Sequence, residues 1–224
     1  MKFEVFSHRH AKQILENTSE YEALYKEVTE AIGNVTDERL MKHFIDNYEA
    51  PGRAKKSISE SINQILKIEL VEAGWTPEAR IFRAADFGDG KWRLDFAKSA
   101  SIPASDAREY GEVKETGISI EVGFNHSGSI AWNLLKPVLA SELNHVEKDI
   151  QTSVGIVITA TRALQEAGGF DGAIGVFEDY VSHLVPLRDV LTVPILVIGL
   201  DAPETFRIRH EKRGTTTYGF VERF

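Results

Sequence analysis

The sequence predicts an α/β protein in which helices flank a mixed central β-sheet. Apolar residues recur at helical spacing in the first third of the 224-residue chain. Apolar runs typical of buried strands follow, and in the last half they alternate with helical segments, which requires crossover connections and partly parallel pairing. Because no linker or repeat interrupts the chain, we expect one domain over residues 1–224, with a mainly helical part at 1–75 and an α/β core at 76–224.

Composition excludes several classes of protein. The chain is 42% hydrophobic and lacks cysteine, which rules out disulfides, thiolate metal sites and cysteine nucleophiles. The N-terminus has no apolar leader, and no apolar run reaches about 18 residues, so we expect a cytoplasmic protein that does not span a membrane. The net charge of −8 counts against nonspecific coating of nucleic acid but allows a local basic surface.

Three helices are predicted in the first third. The clearest covers residues 18–34, where apolar side chains follow three- and four-residue steps, and a shorter one covers 37–48. The third covers 57–75, where Ser57 and Glu60 have the spacing of a capping box.

The strands begin after this helical part. Residues 79–87 and 91–99 have strand character, and a Gly-Asp-Gly segment between them indicates a hairpin. A third strand at 117–124 follows a polar loop.

The last half alternates helices with strands. A helix is predicted over 129–150 with an interruption at Pro137, and another over 175–191. Buried strands are predicted at 154–161 and 193–200.

Two carboxylates lie within apolar strands. Asp95 and Glu121 would meet at one end of the sheet if their strands are adjacent, and a buried carboxylate is costly unless it is paired or binds a cation. Paired oxygen ligands without cysteine or clustered histidine favour Mg²⁺, which supports phosphodiester hydrolysis. The alternative is that Glu121 faces an open side of the sheet or pairs with an arginine such as Arg93.

Several short segments resemble one family in their order along the chain. They include LDFAKS, ISIEVGFNHSGSIAWNLL, VGIVI, VPILVIGL and the C-terminal KRGTTTY. The sequence resembles type II restriction endonucleases of the BglII/BstYI kind. This resemblance implies a PD-(D/E)XK nuclease core, Mg²⁺ dependence, a homodimer, cleavage of double-stranded DNA at a short palindromic site, and a companion DNA methyltransferase.

The resemblance also implies site residues. Asp95 matches the family aspartate, Glu121 the glutamate, and the backbone carbonyl of Val122 a further metal contact. The first two lie 26 positions apart (121 − 95), which is wider than in the family and requires an insertion. Glu112 has the family spacing without the motif context, so it remains an alternative ligand.

A second departure concerns the position two residues after Glu121. The family has a side chain with a catalytic role at that position, whereas this sequence has Gly123. Asn125 is the next position on the same face of the strand, and we include it among the catalytic candidates. Other substitutes are His126, Lys98 and Lys114, and otherwise the protein is a DNA-binding relative that has lost cleavage.

Two basic segments are candidates for DNA contact. Solvated surface is the simpler interpretation of such segments. The net acidic charge also suits a different function, that of an enzyme acting on a small phosphorylated molecule. If the protein binds DNA, we expect contacts from Arg53, Lys55, Lys56, Arg207, Arg209, Lys212 and Arg213.

Overall fold

A six-stranded mixed sheet forms the centre of the protein. The computed structural model describes residues 1–53, 55–83, 92–100, 116–142 and 146–224. The strands of this sheet are β1 (Phe3–His8), β2 (Thr76–Arg80), β3 (Arg93–Ala100), β4 (Thr116–Val122), β5 (Val154–Ala160) and β6 (Ile195–Leu200). Their order is β1-β6-β5-β4-β3-β2, with β4, β5 and β6 parallel and the other pairs antiparallel.

Helices cover both faces of the sheet. They are α1 (Ala11–Asn17), α2 (Ser19–Gly33), α3 (Asp37–Phe44), α4 (Ser59–Glu72), α5 (Ile130–Ser141), α6 (Arg162–Ala167) and α7 (Phe177–Leu184). A π-helical turn (Ile45–Glu49) follows α3, and a 3₁₀ turn (Ser127–Ser129) precedes α5. Outside the central sheet, β7 (Phe206–Arg213) and β8 (Thr216–Arg223) form an antiparallel hairpin.

The alternation of side chains along the central strands separates two cores. On β5, Ile156 and Ile158 pack with the N-terminal helices, whereas Val157 packs with α5 and α7. All three are fully buried, and each such side chain stabilises the fold by roughly 1.5–3 kcal/mol. The predicted α/β class with a mixed sheet flanked by helices is therefore confirmed.

Glycine at position 155 lets α5 approach the sheet closely. A Cβ atom on Gly155 would lie 2.6 Å from Cβ of Pro137, so any side chain there would push α5 outward. Pro137 does not interrupt α5, contrary to the sequence prediction. Its ring is buried in this contact, which offsets the missing backbone hydrogen bond.

Other boundaries also differ from the predictions. The capping box at Ser57 is wrong, because α4 begins at Ser59 and Ser57 Oγ bonds Ser59 Oγ at 2.9 Å. The chain is fixed there by Ile58, which is buried and donates its N–H to the carbonyl of Gly168. The first strand after α4 begins at Thr76 rather than 79.

The sequence analysis did not predict β1 or the β7–β8 hairpin. β1 alternates between partly buried and exposed residues up to the buried His8, and among the described strands it pairs with β6 alone. The predicted Gly-Asp-Gly turn (88–90) lies outside the described residues. In the described part of the chain, no helix has the length and apolar character needed to cross a bilayer.

Candidate active site

Asp95 and Glu121 lie opposite each other on neighbouring strands. β3 and β4 are antiparallel with Phe96 paired to Ile120, so Asp95 and Glu121 form the next pair toward the strand ends. The backbone N–H of Val122 donates to Asp95 Oδ2 at 2.6 Å. The register therefore brings together two acids that are 26 positions apart in sequence (121 − 95), and cross-strand partners share a face of the sheet.

Glu121 is a buried carboxylate, and one of its oxygens has no partner in the part of the chain that the structure describes. Glu121 is 1% exposed, and its Oε2 accepts a hydrogen bond from Lys136 Nζ at 2.6 Å. Among the described residues, Oε1 has no hydrogen-bond partner. Burial, aided by the nearby charge of Asp95, raises the pKa of Glu121 to about 8, although Lys136 opposes this shift.

The pKa of Asp95 is also subject to opposing effects. Burial raises the pKa of this carboxyl, while the Val122 N–H and the charge of Lys136 act to lower it. Two neighbouring carboxylates that are poorly solvated, with a single ammonium group beside them, form a site that favours an additional cation.

A polar cleft gives access to this pair. Beyond the two acids, it is lined by Val122, Asn125, Asn133 and Lys136, together with Pro77, Glu78 and Phe96. A further wall is a stripe along α4 at three- and four-residue spacing, formed by Glu60, Asn63, Gln64 and Lys67. Asn63 Oδ1 is buried without a partner among the described residues, so the wall also has an unused acceptor.

The space beside Gly123 is filled from α5 and α7. A Cβ atom at this position would lie 3.1 Å from Tyr180 Cζ, 3.0 Å from Asn133 Nδ2 and closer still to the Tyr180 hydroxyl oxygen. Asn133 Nδ2 donates to that hydroxyl at 2.7 Å. A glutamine side chain at 123 therefore does not fit without displacing Tyr180 and Asn133.

Tyr180 stays protonated in this environment. Burial, together with the charges of Glu121 and Asp95, raises the pKa of its phenol to about 12, although the hydrogen bond with Asn133 acts in the opposite direction. The phenol therefore occupies the space next to the acids as a neutral group.

The other proposed substitutes for residue 123 are placed differently. Asn125 is exposed and lines the cleft. His126 Nδ1 accepts from the Gly128 N–H and caps the 3₁₀ turn. Lys98 bonds both carboxylate oxygens of Glu27, at 2.7 and 2.8 Å, on the opposite face of the sheet.

Two candidates fall outside the description. Glu112 and Lys114 are in the range 101–115, which the structure does not describe. The suggested pairing of Glu121 with Arg93 is wrong, because Arg93 Nη1 donates to the carbonyl of Glu78 at 2.8 Å and Glu121 pairs with Lys136 instead.

Sequence reasoning missed Lys136 and Tyr180. Both belong to helices and reach the site through the packing of α5 and α7 on each other and on the central strands, so no local pattern marks them. The available signal was spacing, since Asn133 and Lys136 are three residues apart and share one face of α5.

The donor set at the strand ends fits a hard divalent cation. Mg²⁺ typically binds one or two carboxylates and completes its octahedron with water and phosphate oxygens. Asp95 and Glu121 supply two carboxylates, and the unpartnered Oε1 is an acceptor with no other use. Within the described residues, no group of three or more acidic or histidine side chains is arranged to hold a metal.

The structure brings the two basic segments together. The β7–β8 hairpin docks on the 53–56 segment, where the Gly219 N–H donates to the Lys55 carbonyl at 2.8 Å and His210 Nε2 lies 3.0 Å from the Lys56 carbonyl oxygen. Lys55 Nζ lies 3.8 Å from Glu60 Oε2, on the cleft wall. All seven predicted basic residues are exposed, and we call this surface, with Arg53, Lys55, Lys56, Arg207, Arg209, Lys212 and Arg213, the basic surface.

Acidic neighbours reduce the charge of the hairpin. Glu211 pairs with Arg213 at 2.9 Å and with Arg209 at 3.6 Å, and Glu222 pairs with Arg207. In the described part of the chain, Lys212 makes no ion pair. Much of the predicted positive charge is therefore already compensated within the hairpin.

Comparisons with known proteins find a matching family model and similar solved structures. The family model described as restriction endonuclease BglII/BglIII matches residues 3–200, which includes the whole central sheet and excludes the β7–β8 hairpin. The crystal structure of restriction endonuclease BglII complexed with a DNA 16-mer is 18% identical, with a TM-score of 0.63 over 100% of both chains. Free BglII is 15% identical, with a TM-score of 0.48 over 100% of both chains. No curated protein sequence matches.

Proposed function

Because the chain belongs to the BglII/BglIII family of restriction endonucleases, and is thereby a type II enzyme, we propose that it cuts double-stranded DNA at a short palindromic site in the presence of Mg²⁺. The observation that carries this proposal is the placement of Asp95 opposite Glu121, in an open cleft, with Glu121 Oε1 unpartnered. We assign the two acids to a nuclease centre of the PD-(D/E)XK type.

Asp95, Glu121 and the backbone carbonyl of Val122 would hold the metal. When bound, Mg²⁺ supplies positive charge for the phosphate and lowers the pKa of water at the site. Glu112 remains the alternative first ligand, and Asn125 is positioned on the cleft wall to contact substrate.

Contacts within the protein orient both carboxylates in the absence of an ion. The Val122 N–H holds one oxygen of Asp95, and Lys136 holds one oxygen of Glu121, so each carboxylate is fixed in orientation. Because both groups are fixed by backbone and helix contacts, little reorganisation accompanies ion binding.

The basic surface supports contact with the DNA backbone. BglII itself is known in complex with a DNA 16-mer. Lys55 of the basic surface pairs with Glu60, which lines the cleft. The basic surface is therefore next to the cleft, and a DNA strand bound along it would run toward Asp95 and Glu121.

A palindromic target implies two-fold symmetry in the enzyme. We therefore propose a homodimer, in which each subunit places one cleft on one strand of the site. A cell that contains such an enzyme must protect its own sites, so we also propose a companion DNA methyltransferase.

Digestion of plasmid and phage DNA tests the proposal. With Mg²⁺ the purified protein should give discrete fragments, and Glu121→Ala should abolish them. Glu27→Ala is the matched control, because Glu27 is also paired with a lysine but lies on the other face of the sheet. A specific gel shift without cutting would instead select the DNA-binding relative that has lost cleavage, and fragments that survive Glu121→Ala would refute the site.

A further inference from the structure

Lys136 places a single ammonium group beside the two strand carboxylates. Its Nζ is 2.6 Å from Glu121 Oε2, its side chain is 14% exposed, and it lines the cleft. Its placement follows from the close contact of α5 with β5 at Pro137 and Gly155, since Pro137 is the next residue along the helix. The lysine is therefore held firmly near the place where a phosphate would enter.

The ion pair at Glu121 differs from the comparable pair on the other face of the sheet. Lys98 engages both oxygens of Glu27, and Trp75 Nε1 also donates to Glu27, so that carboxylate is fully used. Glu121 is more deeply buried, yet its Oε1 has no partner among the described residues. A pair that only neutralised a buried charge would be expected to satisfy both oxygens.

The strand position that faces this site cannot supply a side chain. Residue 123 directly follows β4, and the alternation of side chains along the strand puts this position on the same side as Glu121. Tyr180 and Asn133 occupy the volume that a side chain at Gly123 would need. The cleft therefore lacks a cationic group from β4, and α5 provides one.

We propose that Lys136 contacts the scissile phosphate of bound DNA and takes the part that β4 does not supply at Gly123. This inference rests on the proposed nuclease function. A lysine ammonium is a compact point charge suited to phosphate, and a fixed charge in a poorly solvated site stabilises the negative charge that develops during cleavage. The role assigned to Lys136 is electrostatic and includes no proton transfer.

Single-turnover cleavage and metal binding together test this role. Lys136→Met should slow cleavage by about 100-fold or more, the usual effect of removing one such contact. Lys136→Arg should retain part of the rate. Lys98→Met is the control, since it removes a partly buried lysine–glutamate pair from the opposite face, and it should cut at close to the wild-type rate.

Binding of Mn²⁺ without DNA, followed by electron paramagnetic resonance, separates two roles. If Lys136 contacts phosphate, Lys136→Met should bind Mn²⁺ as tightly as wild type or more tightly, because a positive charge has been removed beside the ligands. Weaker Mn²⁺ binding in proportion to the lost rate would show that Lys136 only orients Glu121, and would overturn the proposal.

Two further outcomes distinguish failure of this inference from failure of the proposed function. A wild-type rate in Lys136→Met would refute the inference alone, whereas a wild-type protein that cuts no DNA would refute the proposed function and the inference with it. Lys136→Gln is the second variant if the methionine variant unfolds, because an amide can still donate to Glu121.

Discussion

The hydroxyl group of Tyr180 occupies the volume that a side chain on Gly123 would need. Tyr180 belongs to α7 and Gly123 directly follows β4, so α7 contacts the end of β4 two residues after Glu121. Glycine at this position is therefore a packing requirement of this chain.

Adding a methyl group at residue 123 should destabilise the protein. We expect Gly123→Ala to lower the free energy of unfolding by about 1–3 kcal/mol, the usual cost of overpacking. Combining it with Tyr180→Phe should recover part of that loss, since the hydroxyl oxygen is the nearest of the atoms that crowd a Cβ at this position. Urea unfolding of both single variants and the double variant measures this coupling, and strictly additive losses would contradict the steric explanation.

Stability should fall as pH rises because of Glu121. The folded protein holds the pKa of Glu121 near 8, whereas the ordinary value is 4.5. Between these pH values the folded state keeps a proton that the unfolded state has lost, so stability is intact below the lower value and decreases toward the upper one. Glu121→Gln removes this effect and should be the more stable protein at pH 8, by an amount on the order of a few kcal/mol.

Urea unfolding at pH 5, 6.5 and 8 provides the measurement. We expect the pH dependence of the glutamine variant to be flatter than that of wild type. A glutamine variant that is less stable than wild type at pH 8 would show that Glu121 acts as a stabilising ion-pair partner of Lys136.

Asp95→Asn should separate fold from chemistry. The amide oxygen of asparagine can still accept from the Val122 N–H, so we expect stability to change by about 1 kcal/mol or less. Loss of the negative charge should nevertheless reduce Mg²⁺-dependent DNA cleavage by about 100-fold or more. Glu112→Gln is the comparison variant, and a reversal, with Asp95→Asn active and Glu112→Gln inactive, would assign the first ligand to Glu112.

Glu211→Gln should tighten DNA binding. This glutamate pairs with Arg209 and Arg213, and the pKa of its carboxyl lies below the ordinary value because of Arg213. Releasing two arginines should raise the affinity for DNA and steepen its salt dependence, with a slope change of about 0.9 for each new phosphate contact. Fluorescence anisotropy at several salt concentrations checks this, with Lys212→Ala expected to change both quantities in the opposite direction. Unchanged affinity in both variants would place the hairpin away from the DNA.

The central strands could be predicted from sequence because they are buried on both faces. β6 is a continuous apolar run, β5 has one polar residue, Thr159, and β4 has three, Thr116, Ser119 and Glu121. β1 and the β7–β8 hairpin were missed because such strands are half-exposed and gain their order from pairing partners far along the chain.

The acidic half of the site was also predictable, whereas the helical half was not. Asp95 and Glu121 stand out as charges inside apolar strands, and that contrast is local in sequence. Lys136 and Tyr180 look like ordinary surface and core residues of amphipathic helices. Their roles depend on how closely α5 and α7 pack on the sheet, which a single sequence does not specify.

The most direct test of this account is the effect of Mg²⁺ on the unfolding of the DNA-free protein at pH 8. If Glu121 is a ligand of a divalent cation, Mg²⁺ at ten times its dissociation constant should raise the free energy of unfolding of the wild-type protein by about 1.4 kcal/mol. Glu121→Gln should show no such increase, although it starts from higher stability. Equal stabilisation of both proteins, or none of the wild type, would contradict the assignment of Asp95 and Glu121 as a metal site.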